Sequence, residues 1–186
     1  MVRKAASIVA LCASVLMHTA LASVIEPMPF ETLVRSADLV FRGAVVRTEA
    51  RWISTGNGRA IVTRVTFRVE RMLKGTRQSE VTLEFVGGRI GDDELEVEGV
   101  PRFAVGQRDV ICARSGDIYV SPVTGFNQGR FRVVRDNMGR DNVTAHDGRP
   151  LSTISSSGSS TLFLAAAGQT AMPLAALEDE ILRVQR

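Results

Sequence analysis

The stretch Ile61-Val62-Thr63-Arg64-Val65-Thr66-Phe67-Arg68-Val69-Glu70-Arg71 decides the fold class. Val65, Phe67 and Val69 alternate with Arg64, Thr66, Arg68 and Glu70, a period of two that puts apolar side chains on one strand face and polar ones on the other. The residues before it supply a partner. Residues 38–51 carry Leu39, Val40, Phe41, Val45 and Val46 around Gly43, whose place inside a strand marks a kink or bulge. Between the two runs, Ser54-Thr55-Gly56-Asn57-Gly58 is a turn that closes a hairpin. After it, Leu73-Lys74-Gly75 ends the strand and Glu80-Val81-Thr82-Leu83-Glu84-Phe85-Val86 alternates again. The outward Arg64/Arg68 row reads as a solvated face with cross-strand ion pairs.

Further strands are expected at 95–100, 108–113, 117–121 and 129–135, separated by turns such as Arg114-Ser115-Gly116 and Asp136-Asn137-Met138-Gly139. Short strands between turn glycines indicate a small barrel or sandwich. Gly87-Gly88-Arg89-Ile90-Gly91 reads as a turn; no Gly-Lys-Ser/Thr follows it, and the acids after it would repel a phosphate. Asp92, Asp93 and Glu94 lack the alternating oxygen ligands of a calcium loop and read as a solvated hairpin tip. From 136 to 161 the chain is polar, ending in Ser155-Ser156-Ser157-Gly158-Ser159-Ser160-Thr161, and is expected as a loop or linker.

Helices are expected at both ends of this β region. Residues 28–37 place Phe30, Leu33 and Val34 on one face, stopping before Asp38. At the other end Pro173 suits a first helical turn, Leu174, Leu177, Ile181 and Val184 form a stripe, and Glu178, Asp179 and Glu180 precede Arg183 and Arg186 in the order that complements the helix dipole. The stripe is expected to dock on the domain's own sheet.

The first 22 residues read as a Sec-type signal peptide: Arg3 and Lys4, an apolar stretch to Met17, then Ala20-Leu21-Ala22 as the small-x-small cleavage pattern. The apolar stretch falls short of the roughly 20 residues that span a bilayer. The expected domains are therefore 1–22 signal peptide, 23–150 β-barrel domain, 151–172 Ser/Ala-rich loop or linker, and 173–186 C-terminal helix. The mature chain is expected in the periplasm or medium, with no integral membrane segment. Cleavage removes Arg3 and Lys4 and no acid, leaving 21 basic against 20 acidic residues. That near-neutral charge, with one Trp (Trp52) and one Tyr (Tyr119) for base stacking, argues against nucleic acid as a partner.

Cysteine and histidine counts exclude much chemistry. Cys12 leaves with the leader, so Cys112 has no disulfide partner in the mature chain; its apolar run Asp109-Val110-Ile111-Cys112-Ala113 suits a buried thiol. His146 is the one mature histidine, which rules out zinc sites built from several Cys and His. No G-x-S-x-G nucleophile elbow occurs, and Asp92, Asp93 and Glu94, adjacent on a loop, offer no apolar pocket to part their pKa values. We expect no enzyme activity, no cofactor and no metal.

The order of features resembles a known family. A short helix, Ser36-Ala37-Asp38-Leu39-Val40-Phe41-Arg42-Gly43-Ala44-Val45-Val46, a Gly/Asn turn, Val65-Thr66-Phe67-Arg68-Val69-Glu70-Arg71-Met72-Leu73-Lys74-Gly75 and a C-terminal helix together look like the netrin-like module of the tissue inhibitors of metalloproteinases. The chain is also similar to uncharacterised bacterial secreted proteins, in Val100-Pro101-Arg102-Phe103-Ala104-Val105-Gly106-Gln107-Arg108 and Gly125-Phe126-Asn127-Gln128-Gly129-Arg130-Phe131 as well. The resemblance implies an OB-like antiparallel barrel of five strands with a flanking helix, so the expected fold is mainly β, with a short N-terminal and an amphipathic C-terminal helix. It also implies a binding site at the mature start, Ser23-Val24-Ile25-Glu26, where the inhibitors carry a Cys-x-Cys and this chain has no cysteine. The leading functional expectation is an exported non-catalytic binding module for an extracytoplasmic protein. Alternatives are a metalloprotease inhibitor acting through the Ser23 amine and an enzyme using His146 or the Asp92/Asp93/Glu94 group.

Overall fold

The computed structural model describes residues 27–56, 58–116, 120–156, 159–164 and 171–186, with backbone alone at 153–156 and 159–164. Its frame is the hairpin of the two long alternating runs. Strand β1 (Leu39–Thr55) pairs antiparallel with β2 (Gly58–Lys74) from Val40 opposite Lys74 to Thr55 opposite Gly58. The register shifts on both strands: Glu70 is an extra residue on β2 beside Arg42 and Gly43, and Val46 is an extra residue on β1 beside Val45. Such bulges bend and twist a hairpin. Gly43 is the residue that admits the bend, because a Cβ there would lie 2.9 Å from the Arg68 carbonyl oxygen.

Four more strands extend the hairpin into one antiparallel sheet. β2 pairs with β3 (Glu80–Val86), β1 with β6 (Arg108–Ala113), β6 with β7 (Arg130–Arg135) and β7 with β8 (Asp141–Thr144), giving the order β3-β2-β1-β6-β7-β8. Two smaller hairpins join β4 (Gly88–Ile90) to β5 (Asp93–Leu95) and β9 (Leu151–Ser156) to β10 (Ser159–Leu164). The chain is thus mainly β with two helices. Among the described residues no ladder joins β3 to β8.

Both faces of the sheet are covered, and β6 shows why its sequence is continuously apolar. Val110 and Cys112 face one core with Val40, Leu73 and Val143; Ile111 and Ala113 face the other with Phe41, Val65, Phe67, Leu83 and Phe85. Helices cover the first face: α1 (Phe30–Ser36) through Phe30, Leu33 and Val34, and α2 (Leu174–Val184) through Leu174, Leu177, Ile181 and Val184. An 11-residue helix without a side-chain N-cap is marginal alone. Each buried apolar side chain contributes about 1.5–3 kcal/mol, against about 1 kcal/mol for a missing cap, so docking decides that α2 forms. The second core is aromatic: Phe41 meets Phe67 edge-on at 5.4 Å, and Phe103 closes the stack at 5.3 Å from Phe67 and 5.0 Å from Phe85.

Several expectations need correction. The polar region 136–161 is not a continuous loop: it holds β8 and most of the β9–β10 hairpin, which also reaches into the expected 151–172 linker. Val143 is the sole strongly apolar residue of β8, so no alternation announced it, and the serines of β9 and β10 pair through their backbones. The strand expected at 95–100 is only the end of β5, followed by a turn at Glu98 and Gly99. Of the strand expected at 117–121, Asp117, Ile118 and Tyr119 lie outside the described residues, and Val120 and Ser121 are not in a strand. The leader and Ser23, Val24, Ile25 and Glu26 also lie outside them.

Candidate functional site: an arginine-lined groove at the mouth of the inner face

Beyond Phe103 the aromatic face of the sheet, the inner face as distinct from the helix-covered one, turns polar. Asp109 on β6 lies opposite Arg132 on β7, and Arg130 lies opposite Ile111, so register alone brings one acid and two arginines to the same end of the face. Asp109 is fully buried, and the Arg130 Nε donates to its Oδ1 at 2.9 Å. Arg130 is held on every side: Nη1 donates to the Arg102 carbonyl oxygen at 2.7 Å, Nη2 to Gln107 Oε1 at 3.1 Å, and its guanidinium lies 4.0 Å from the Phe103 ring centre. The planar, always-charged fork suits this combination of carboxylate, carbonyl and ring. Burial pushes the Asp109 carboxyl above its ordinary value, and the charges of Arg130 and Arg132 pull it back part of the way.

Arg130, but not the buried Asp109, lines a cavity of about 310 Å³ together with Pro101, Arg102, Gln107, Asn127, Arg132 and His146. Asn127 and His146 are shared with a neighbouring cavity of about 700 Å³, whose walls include Pro27, Val97, Glu98 and Phe126. The two form one groove, cationic at one end and apolar at the other. His146 is half-buried at the junction. Desolvation moves its pKa below the ordinary value; Asp147 opposes that shift, and Arg130 and Arg149 add to it.

The apolar wall is built by a constrained loop. Val123 bridges to Ala113, the Thr124 N–H donates to the Cys112 carbonyl at 2.9 Å, and the Gly129 N–H donates to the Thr124 carbonyl at 2.9 Å. Gly125 and Phe126 between these anchors both have positive φ, 64° and 65°. Glycine tolerates that region; a bulky side chain there is strained and is held only by its surroundings. Ser121 Oγ donates to the Phe126 carbonyl at 2.6 Å, and the Phe126 ring remains 43% exposed at the groove's rim. The opposite wall is tied down by the Met28 N–H, which donates to Gln128 Oε1 at 2.7 Å.

The residues singled out from sequence are dispersed by the structure. Cys112 is fully buried on the helix-covered face, where desolvation pushes its thiol up to about 12, whereas His146 lines the groove beyond the other face. Glu94 of the acidic trio is held by Arg89 at 2.9 Å and Arg102 at 3.1 Å. Among the described residues no three His, Cys, Asp or Glu side chains gather as a metal site. Of the expected binding segment only its successor, Pro27, is described, and it lines the groove. Arg130, Arg132, Gln107, Asn127 and Phe126 were not singled out. The available signal was the pair of stretches at 100–108 and 125–131, which meet here through Arg130, Arg102 and Gln107. No model of a known protein family matches the chain, and neither does any curated protein.

Proposed function

We propose that this chain is an exported, non-catalytic binding module with an OB-like barrel, and that it holds an extracytoplasmic polypeptide in the groove between Phe126 and Arg132. The observation that carries the reading is Phe126, a large apolar side chain kept exposed at a strained backbone position on the wall of a cavity of about 700 Å³. A fold that only needed a turn there would gain by placing glycine or asparagine at that position. The charge distribution supports a non-catalytic role, because Arg102 and Arg130 are held by fixed partners and the lone thiol is buried and protonated on the opposite face. For the barrel, the support is the order β3-β2-β1-β6-β7, with β1 shared between two neighbours and an aromatic interior. Export rests on the leader's charge, apolar stretch and Ala20-Leu21-Ala22. Ser23, Val24, Ile25 and Glu26 precede Pro27 directly in the chain and belong to the proposal as residues that contribute to binding.

The test is site-specific photocrosslinking in the chain's own host. A benzophenone side chain at position 126 should give one dominant polypeptide adduct in the envelope or medium. The same probe at Met138, which is exposed but lines none of these cavities, should not. Equal adduct patterns from both positions would remove the groove as the binding face.

A further inference from the structure

At its cationic end the groove holds one arginine side chain without a partner among the described residues. Arg102 is met by Glu94 at 3.1 Å and Glu96 at 3.2 Å, Arg130 by Asp109 at 2.9 Å, and Arg149, beside the cavity, by Asp147 at 2.6 Å. The guanidinium of Arg132, half-buried on the wall, makes no hydrogen bond or ion pair among the described residues. Asp109, already held by Arg130, acts on it only through space. A guanidinium drawn partly out of water without a paired acid is an unfilled anion site, since its donors fit a carboxylate in a two-bond fork.

Resting on the reading of the groove as a polypeptide site, we propose that its occupant is the carboxyl-terminal residue of a peptide, with the free α-carboxylate on Arg132 and an apolar side chain against Pro27, Val97 and Phe126. Geometry favours this class: the guanidinium left without a partner among the described residues offers a single two-bond fork, which one carboxylate fills. Orientation follows from Glu98 on the wall of the larger cavity, which repels a carboxylate from the apolar end. Size agrees, because the cavities of about 310 and 700 Å³ share Asn127 and His146, so one residue reaches both. The Asn127 amide supplies a further donor beside the carboxylate.

The experiment is an NMR shift titration of the whole mature protein with three probes: N-acetylphenylalanine, its C-terminal amide and inorganic phosphate. Saturable shifts centred on Asn127, Arg132 and His146 are expected for the acid, with the amide at least about tenfold weaker, the cost of losing a charge-assisted hydrogen bond. R132Q should abolish acid binding, and R132K, which keeps the charge but loses the fork, should retain part of it. The His146 imidazole should titrate at higher pH in the bound state, because a carboxylate is added beside it. Equal binding of acid and amide, phosphate binding more tightly than the acid, no saturable shift, or an R132Q variant that binds normally would each overturn the proposal. If it fails while the position-126 adduct persists, the groove stays a binding face with a different occupant; if both fail, the binding reading falls too.

Discussion

Arg108 and Asp109 are neighbours in sequence, yet they belong to two opposite electrostatic arrangements. On the helix-covered side, Glu70 accepts from Arg42 at 2.9 Å and from Arg108 in a two-bond fork at 3.0 and 2.9 Å. Asp141 accepts from Arg108 at 2.8 Å and Arg135 at 3.0 Å, and Glu178 accepts from Arg42 at 2.6 Å and from Arg71. Four arginines and three acids form one chain in which each acid bridges two arginines, and it ties α2 to the sheet. At the mouth of the inner face, one buried acid is satisfied by one arginine and a second arginine is left over. The two arrangements differ in pairing: every arginine of the outer chain meets an acid, whereas the Arg132 side chain at the mouth meets none among the described residues.

The sharpest way to break this comparison is at the buried pair. R130M leaves the fully buried Asp109 carboxylate uncompensated, and stability in urea should fall by about 3–5 kcal/mol. Adding D109L should recover most of that loss, since removing both charges avoids the stranded one. A loss no larger than that of a surface arginine would show that Asp109 has other support. On the outer face, E178Q should cost about 1–3 kcal/mol and raise hydrogen exchange in α2 before the sheet. Exchange that rises equally everywhere would detach Glu178 from the docking of α2.

The two arrangements should also part on acidification. Glu70 is held below its ordinary 4.5 by hydrogen bonds and charge from Arg108 and then Arg42, and Asp141 below 3.8 by Arg108 and Arg135. A depressed folded pKa contributes stability that is complete above those ordinary values and lost as pH falls through the lower folded ones. Asp109, raised by burial, has the opposite sign: its term is complete below 3.8 and lost as pH rises through its folded pKa. Urea midpoints should therefore drop on acidification below about 4.5, with an acid limb that flattens in the E70Q/D141N variant. An unchanged limb in that variant would assign acid sensitivity elsewhere. The smallest effect is expected for R132Q, within about 0.5 kcal/mol of the parent, because its guanidinium has no partner to lose. A larger cost would make Arg132 part of the fold and not a spare cation.

The sequence made the local patterns readable and concealed the long-range ones. β2 was legible because one of its faces is charged, and α2 because Leu174, Leu177, Ile181 and Val184 fall on one stripe. Glu178, on the margin of that stripe, read as a partner of the helix dipole; it is buried because Arg42 and Arg71 lie beneath it, which no periodicity within α2 can announce. Glu70 looked like an ordinary outward residue of an alternating strand and is instead the inserted residue of a bulge. The groove was hidden for the same reason. Arg130 and Arg132 alternate with Phe131 and Val133 as in any strand, and only the register with β6 decides that they converge on Asp109.

The outer edge of β8 has a consequence for self-association. The chain folds back along it: the Val143 N–H donates to the Met172 carbonyl at 2.9 Å, Asn142 bridges to Pro173, and Thr144 bridges to Pro150. Both residues facing outward at these bridges are prolines, which carry no N–H with which to template another strand. The opposite edge, β3, carries Glu80 and Glu84 among its apolar residues, a charged border that discourages a second copy from pairing there. An incompletely closed sheet ordinarily invites edge-to-edge polymerisation. Among the described residues proline borders one edge of this sheet and carboxylates the other, so neither offers an uninterrupted apolar template to a second copy.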